Sequence, residues 1–311
     1  MQAAPFHTAL ADGPAGGHTL WLTTTDGVRI RVAVWPAAGA KGTVLLFPGR
    51  TEYVEKYGRA ASDFARRGYA TVTVDWRGQG LADRPLADRN VGHVERFGDY
   101  QKDVAAVLQA VKALALPQPL YLVSHSMGGA IALRALIERL PVKAAAFSAP
   151  MWGILLPTGT MPIAWIATRA SRLLGLSHHY VPSTGPVTYT AAAPFADNVL
   201  TTDESMWAYM KAQITGVPEL SLGGPSLHWL QESIDECAAL SALPSPTVPV
   251  LTVIGGNERV VDPGPVTERM RRWPGGRLEV VPGAEHEMMM ETPARRAHFF
   301  DAATALFDAN R

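Results

Sequence analysis

Five short apolar runs constrain this chain more than any other feature. They are residues 42–47 (GTVLLF), 70–75 (ATVTVD), 119–124 (PLYLVS), 142–150 (VKAAAFSAP) and 248–256 (VPVLTVIGG). Each is too short for a helix, rich in aliphatic and β-branched residues, and bounded by Gly, Pro or Asp. Near-continuous apolarity, without alternation, marks strands covered on both faces. Helical spacing fills the gaps: residues 54–67, closed by Gly68; residues 100–114; the small-residue stretch MGGAIALRALIERL; residues 263–272; and residues 292–307. Alternation of this kind predicts an α/β fold, a mostly parallel central sheet with helices on both faces. Ahead of it, HTLWLTTT and VRIRVAVW alternate apolar and polar residues around Asp26-Gly27, the pattern of a hairpin.

The rhythm stops at Met151 and resumes near Val248. The interval holds Trp152, Trp165, Trp207 and Trp229 with scattered Pro and Gly, and no clear strand pattern. We therefore expect residues 1–150 and 244–311 to form one core and residues 151–243 a helical insertion. The chain of 311 residues has 28 Lys+Arg against 28 Asp+Glu. Zero formal charge argues against a nucleic-acid partner or a polybasic membrane clamp. The one cysteine, Cys237, excludes an internal disulfide framework and a Cys-rich zinc site. No apolar stretch reaches the length of a membrane span, about 18 residues or more. The opening MQAAPFHTALADG lacks a basic start followed by an apolar core, so the expected location is the cytosol, with peripheral membrane contact left open.

The chemistry begins at Ser124-His125-Ser126-Met127-Gly128-Gly129, directly after one strand run and directly before a helix. That is the context of a nucleophile elbow, where a sharp turn lifts a serine oxygen above the sheet. Small neighbours are needed because strand and helix approach closely there. A serine in an ordinary turn is the plainer reading, but the context favours Ser126 as a nucleophile.

Serine needs a base, and the base needs an orienting acid. His286 follows the strand run RLEVV on a loop at the carboxyl end of the sheet, where such sheets place their ligands. His298 falls inside a helix, His93 has no acid assigned to it, and His178 and His179 lie in the insertion. His125 adjoins the nucleophile and is expected to point away from it. The histidines lack the spacing of metal ligands, so we expect no metal and no other cofactor. For the acid, Glu258 and Asp262 both follow the run ending at Gly256. Glu258 is favoured because it sits nearest the strand end, while Asp262 suits a helix N-cap. The oxyanion hole needs two backbone N–H donors. Met127 follows the nucleophile, and Arg50 lies in the loop Pro48-Gly49-Arg50-Thr51-Glu52 after the first core strand.

Together these residues resemble the α/β-hydrolases of the lysophospholipase and monoacylglycerol lipase group, often labelled serine aminopeptidase-like. Pro48-Gly49-Arg50-Thr51-Glu52 is similar to the group's His-Gly-x-x-Glu loop, with Pro for His. FPGRTEYVEKY is especially similar to the bacterial lysophospholipase branch. Asp75-Trp76-Arg77-Gly78-Gln79-Gly80 resembles its Asp-x-Arg-Gly-x-Gly loop, read as structural. The elbow departs in having Ser124 for the first Gly, and Glu258 stands where many members have Asp.

The resemblance implies an α/β-hydrolase fold with the insertion as a helical cap. It implies acyl transfer: Ser126 attacks a carboxylic ester, His286 takes the proton, Glu258 holds the imidazole, and the Arg50 and Met127 amides bind the oxyanion. The expected substrate is a single-acyl lipid, either a lysophospholipid or a monoacylglycerol. A small-ester esterase, a thioesterase or an aminopeptidase would use the same residues, and a non-catalytic binding protein on this scaffold is the alternative of another class. The apolar stretch GILLPTGTMPIAWIATRASRLLGL suits an acyl tunnel or contact with a membrane surface, and equally suits packing on the core.

Overall fold

The five apolar runs form the centre of a nine-stranded sheet. The computed structural model describes residues 1–156 and 159–311. Its strands are β1 (Gln2–Ala3), β2 (His18–Thr23), β3 (Arg29–Trp35), β4 (Thr43–Phe47), β5 (Ala70–Asp75), β6 (Leu120–His125), β7 (Ala145–Ser148), β8 (Val250–Gly255) and β9 (Arg277–Val281). Their spatial order is β1-β2-β3-β5-β4-β6-β7-β8-β9. The β2–β3 hairpin forms around Asp26-Gly27, with Gly27 at φ +83°. The first three strands are antiparallel to their neighbours, and β5 through β9 are all parallel. The helices are α1 (Thr8–Ala11), α2 (Gly58–Arg66), α3 (Tyr100–Ala113), α4 (Met127–Ile137), α5 (Met161–Leu173), α6 (Tyr189–Ala192), α7 (Glu204–Gly216), α8 (Leu227–Ala242), α9 (Pro263–Arg271) and α10 (Pro293–Asp308).

Strand periodicity explains the unbroken apolarity. Leu45, Phe47, Leu122, Val250 and Ile254 join α3, α4, α8 and α9 in one buried cluster. Their sequence neighbours Val44, Leu46, Tyr121, Val123, Leu251 and Val253 join α2, α7 and α10 in another. Successive side chains point to opposite faces and both faces are covered, so the apolar positions do not alternate with exposed ones, and even the polar strand residues Thr71, Thr73 and Thr252 are buried. The helix expected over residues 54–67 begins instead as a 3-10 turn, Val54–Tyr57, and becomes α2 at Gly58. Gly58 packs on the Ala11 carbonyl so closely that a Cβ would collide with it.

Residues 151–243 contain α5 to α8 and no strand among the described residues. The last of these helices is not a separate layer. Trp229, Cys237 and Leu240 of α8 lie in the main core beside α4. Helix α5 is different. Ile163, Trp165, Ile166 and Leu173 are exposed, while Thr168 and Ser171 are buried. No helix among the described residues is long and apolar enough to cross a membrane.

Candidate active site

Parallel strands present their carboxyl ends on one edge, and the loops leaving β4, β6, β8 and β9 meet there. The loop after β6 is the tightest. Ser126 has φ 50° and ψ −121°, a conformation that a side chain rarely accepts and that stores about 1–3 kcal/mol of strain. Its surroundings hold it in place. The Ser126 N–H donates to the Ser148 carbonyl at 3.1 Å, and its own carbonyl accepts from Gly129 and Met151, each at 2.8 Å. A Cβ on Gly128 would press into the Phe47 carbonyl, and one on Gly129 into Pro150. The glycines are therefore required by close approach of α4 to the strand ends. Ser124, in place of a first glycine, is fully buried, and its hydroxyl has no hydrogen-bond partner among the described residues.

Ser126 opens onto a cavity of about 450 Å³, and Arg50, Met127 and His286 line the same cavity. Much of the opposite wall comes from the insertion, through Ile154, Tyr189, Leu200, Met210, Ile214 and Trp229. The volume is in the range of small-molecule sites.

His286 donates from Nδ1 to Glu258, with Oε2 at 2.8 Å and Oε1 at 3.0 Å. The carboxylate acceptor fixes the proton on Nδ1 and leaves the Nε2 lone pair free. Glu258 is itself oriented, because its Oε1 accepts the Val260 and Val261 amides at 2.7 and 3.0 Å. Burial pushes the Glu258 carboxyl up, but the His286 hydrogen bond and charge and the two amides outweigh it and hold it below the usual range. Asp262 makes no such contact. It caps α9, accepting from the Gly264 amide at 2.9 Å. Glutamate's extra methylene is accommodated because the two amides anchor the carboxylate from behind.

The loop after β4 is clamped on both sides of Arg50. Gln79 Nε2 donates to the Gly49 carbonyl at 2.9 Å, and Gln79 Oε1 accepts from the Thr51 amide at 3.2 Å. Trp76 Nε1 donates to the Pro48 carbonyl at 2.9 Å. The Asp75–Gly80 segment thus buttresses this loop. Among the described residues, the Arg50 and Met127 amides donate to no protein acceptor.

Beneath the site lies a buried charge network absent from the sequence-based expectation. Lys56 Nζ bridges Glu52 at 2.6 Å and Glu287 at 2.5 Å. Glu52 also accepts from the Gly49 amide and the Tyr57 hydroxyl. His125 completes it, with Nε2 3.3 Å from Glu287 and Nδ1 donating to the Ser148 carbonyl at 3.1 Å. His125, expected to point away from the nucleophile, reaches the other half of the site, its ring centre 4.6 Å from that of His286. Burial opposes a charge on His125, but Glu287 and Glu52 outweigh it and raise its pKa. Burial likewise opposes charge on Glu287, and Lys56 and His125 hold it well below the usual carboxylate range. One network therefore joins the loops after β4, β6 and β9.

Among the described residues, two groups of side chains have ligand-like spacing. Glu52, His125 and Glu287 form one, but the Lys56 ammonium already sits between the carboxylates. His93, Glu95 and His228 form the other, with His178 beside them. The sequence reading saw these histidines as scattered, and the fold gathers them. One nitrogen of each of two of them is engaged within the protein, His93 Nδ1 with Ser226 Oγ at 2.9 Å and His228 Nε2 with the Glu95 carbonyl at 2.7 Å. His298, as expected, lies in a helix and pairs with Glu279 at 2.7 Å.

The chain is 32% identical over 298 residues to a lysophospholipase L2 of Escherichia coli, covering 92% of this chain and 86% of that protein. It is 28% identical over 278 residues to a probable lysophospholipase L2 of Haemophilus influenzae, covering 88% and 86%. The fold is similar to that of a soluble variant of monoglyceride lipase from Saccharomyces cerevisiae. The TM-score there is 0.75 at 20% identity, over 96% of this chain and 98% of the other. It is similar also to a carboxyl esterase from Bacillus coagulans, with TM-score 0.75 at 14% identity, over 96% and 99%. Residues 38–293 match the family described as serine aminopeptidase, S33. By that match and by the bacterial relatives, the chain belongs to this family of α/β-hydrolases.

Proposed function

We propose that the protein is a serine hydrolase that cleaves the carboxylic ester of a single-acyl lipid through an acyl-enzyme. The observation that carries this is the His286–Glu258 pair at 2.8 Å, on the cavity that also holds Ser126 at its strained turn. Ser126 Oγ attacks the ester carbonyl as His286 Nε2 takes its proton. Glu258 keeps the imidazole in the required tautomer and stabilises its charged form. The free Arg50 and Met127 amides receive the oxyanion. His286 then returns the proton to the departing glycerol oxygen. Water, deprotonated by the same nitrogen, attacks the acyl-enzyme and releases a fatty acid. No step calls on a metal.

The substrate reading is supported by the apolar insertion wall and by the names of the bacterial relatives. Residues 151–243 act as a cap in this reading, and the α5 face is its point of membrane contact. That helix turns Ile163 and Ile166 outward at 67% and 61% exposure, while its Arg169 and Arg172 pair with Asp235 and Glu232. An exposed apolar face of this kind suits contact with the headgroup boundary of a lipid surface.

The test is fatty-acid release from lysophosphatidylcholine and from a monoacylglycerol of equal chain length, with Ser126→Ala as control. We expect release from at least one lipid and its loss by about 10⁴-fold or more in the variant. Release from neither, with small esters or peptides cleaved instead, would leave the triad and overturn the substrate.

A further inference from the structure

Among the described residues, three arginine and lysine side chains line the cavity: Arg50, Lys56 and Arg259. Two are neutralised where they stand. Lys56 has Glu52 and Glu287 at 2.6 and 2.5 Å, and Arg259 has Glu285 at 3.1 Å. Arg50 has no such partner. Among the described residues no carboxylate forms an ion pair with it. Its Nη1 donates to the Gly223 carbonyl at 2.9 Å, and its guanidinium carbon stands 5.5 Å from the Trp229 ring centre. Nε and Nη2 donate to no protein acceptor among the described residues. Burial lowers its pKa to about 10, so at neutral pH it remains charged. The surrounding backbone makes room for it, since a Cβ on Gly92 would come within 2.9 Å of Nη1.

Arg50 is half-buried, and a cation facing a cavity without a counter-charge has donors free for a ligand. It becomes useful where the missing anion arrives with a ligand. We propose that the Arg50 guanidinium binds the phosphate of a lysophospholipid head group, so that Arg50 meets the substrate twice. Its amide faces the ester oxygen and its side chain faces the phosphodiester. This rests on the ester-hydrolase reading above, and adds to it the feature that separates the two single-acyl lipid classes.

The dimensions agree. Gly49, next to Arg50, lies against Ser126, so closely that a Cβ there would be 3.0 Å from the Ser126 Cβ. The Arg50 backbone is therefore beside the nucleophile. In a lysophospholipid the glycerol carbons set the phosphorus about 6 Å from the ester oxygen, and an extended arginine reaches about as far from its Cα to its guanidinium. The planar fork offers parallel N–H donors to two phosphate oxygens. A monoacylglycerol presents an uncharged hydroxyl at that place, for which a charged fork has no special affinity.

The readout is a ratio. kcat/KM is measured for lysophosphatidylcholine and for a monoacylglycerol of the same acyl chain, in wild type, Arg50→Met and Arg50→Lys. Both substitutions keep the backbone amide, and any disturbance of the oxyanion loop lowers both substrates together and cancels. Charge-assisted hydrogen bonds of this kind predict that Arg50→Met shifts the ratio toward the monoacylglycerol by about 10- to 100-fold. Arg50→Lys, a point charge without the fork, falls between. Inhibition by glycerophosphocholine, competitive in wild type, weakens in parallel. A ratio that stays within about 2-fold in Arg50→Met overturns the proposal. A wild type that hydrolyses neither lipid, while its Ser126 is still labelled by a fluorophosphonate, overturns the substrate reading itself, and this assignment with it.

Discussion

The choice between two carboxylates four residues apart turns on single hydrogen bonds. Glu258 holds His286 and is held by two amides, whereas Asp262 caps a helix. Glu258→Gln is therefore expected to lower kcat by about 10²–10⁴-fold, because an amide can present its N–H to Nδ1 and favour the wrong tautomer. Asp262→Asn should leave kcat near wild type and alter stability by less than about 1 kcal/mol, since Asn also caps helices. Steady-state kinetics and urea unfolding on the two variants separate the roles. Position after a strand was enough to rank Glu258 above Asp262 in the sequence. The hydrogen bonds that hold its longer side chain in place were not legible, because they depend on how the loop bends. The positions of Ser126 and His286 were legible for a simpler reason: one stands in a turn between a strand run and a helix, and the other follows the last strand run. Arg50 was legible only as a backbone donor. That its side chain lacks a carboxylate depends on which segments close over it, and Gly223 is far away in sequence.

At the scale of elements, the elbow and α5 depend on opposite kinds of surface. The elbow requires contact without space. Gly128→Ala is expected to destabilise the fold by about 2–4 kcal/mol and to suppress activity, because the added methyl meets backbone rather than a movable side chain. Denaturant midpoints and fluorophosphonate labelling would register the two effects. Helix α5 has contact to spare. Replacing Ile163 and Ile166 by Ser should weaken binding to lipid vesicles, leave the unfolding midpoint almost unchanged, and spare hydrolysis of a short, water-soluble ester. Co-sedimentation with liposomes checks this, and unchanged binding would remove α5 from the membrane reading. The sequence showed an apolar stretch here without its outcome. Periodicity gives a stripe, and only tertiary packing decides whether the stripe faces protein or solvent. The strands were easier to read, because burial on both faces makes them short, mostly apolar runs with no exposed alternate positions.

Across the whole molecule, the Lys56 network is the feature no local pattern announced. Its members come from Glu52, Lys56, His125 and Glu287, and the Lys56–Glu287 pair spans 231 residues. Ion pairs at that separation have no spacing signature. Lys56→Met leaves two buried carboxylates with His125 as the cation beside them, and is expected to cost about 3–5 kcal/mol of stability. The pH dependence follows from the shifts. Glu258 and Glu287 are depressed, so their contribution is complete above the usual carboxylate range and is lost as pH falls through their lowered values. His125 is raised, so its contribution is complete below the ordinary imidazole range and fades as pH rises through its higher value. Stability should therefore decline on both sides of a central plateau, and in Glu287→Gln both flanks should flatten. Unfolding midpoints across pH test this.

The order in which the loops enter the chain has a consequence for synthesis. The serine turn sits near the middle of the sequence, and its histidine and acid arrive only with the last two strands. A ribosome-bound chain would thus carry a folded half-sheet and an exposed serine, but no base to activate it. Reactivity toward lipid would switch on at a late, nearly all-or-none stage of folding, when β9 docks on the sheet edge and Glu287 reaches Lys56.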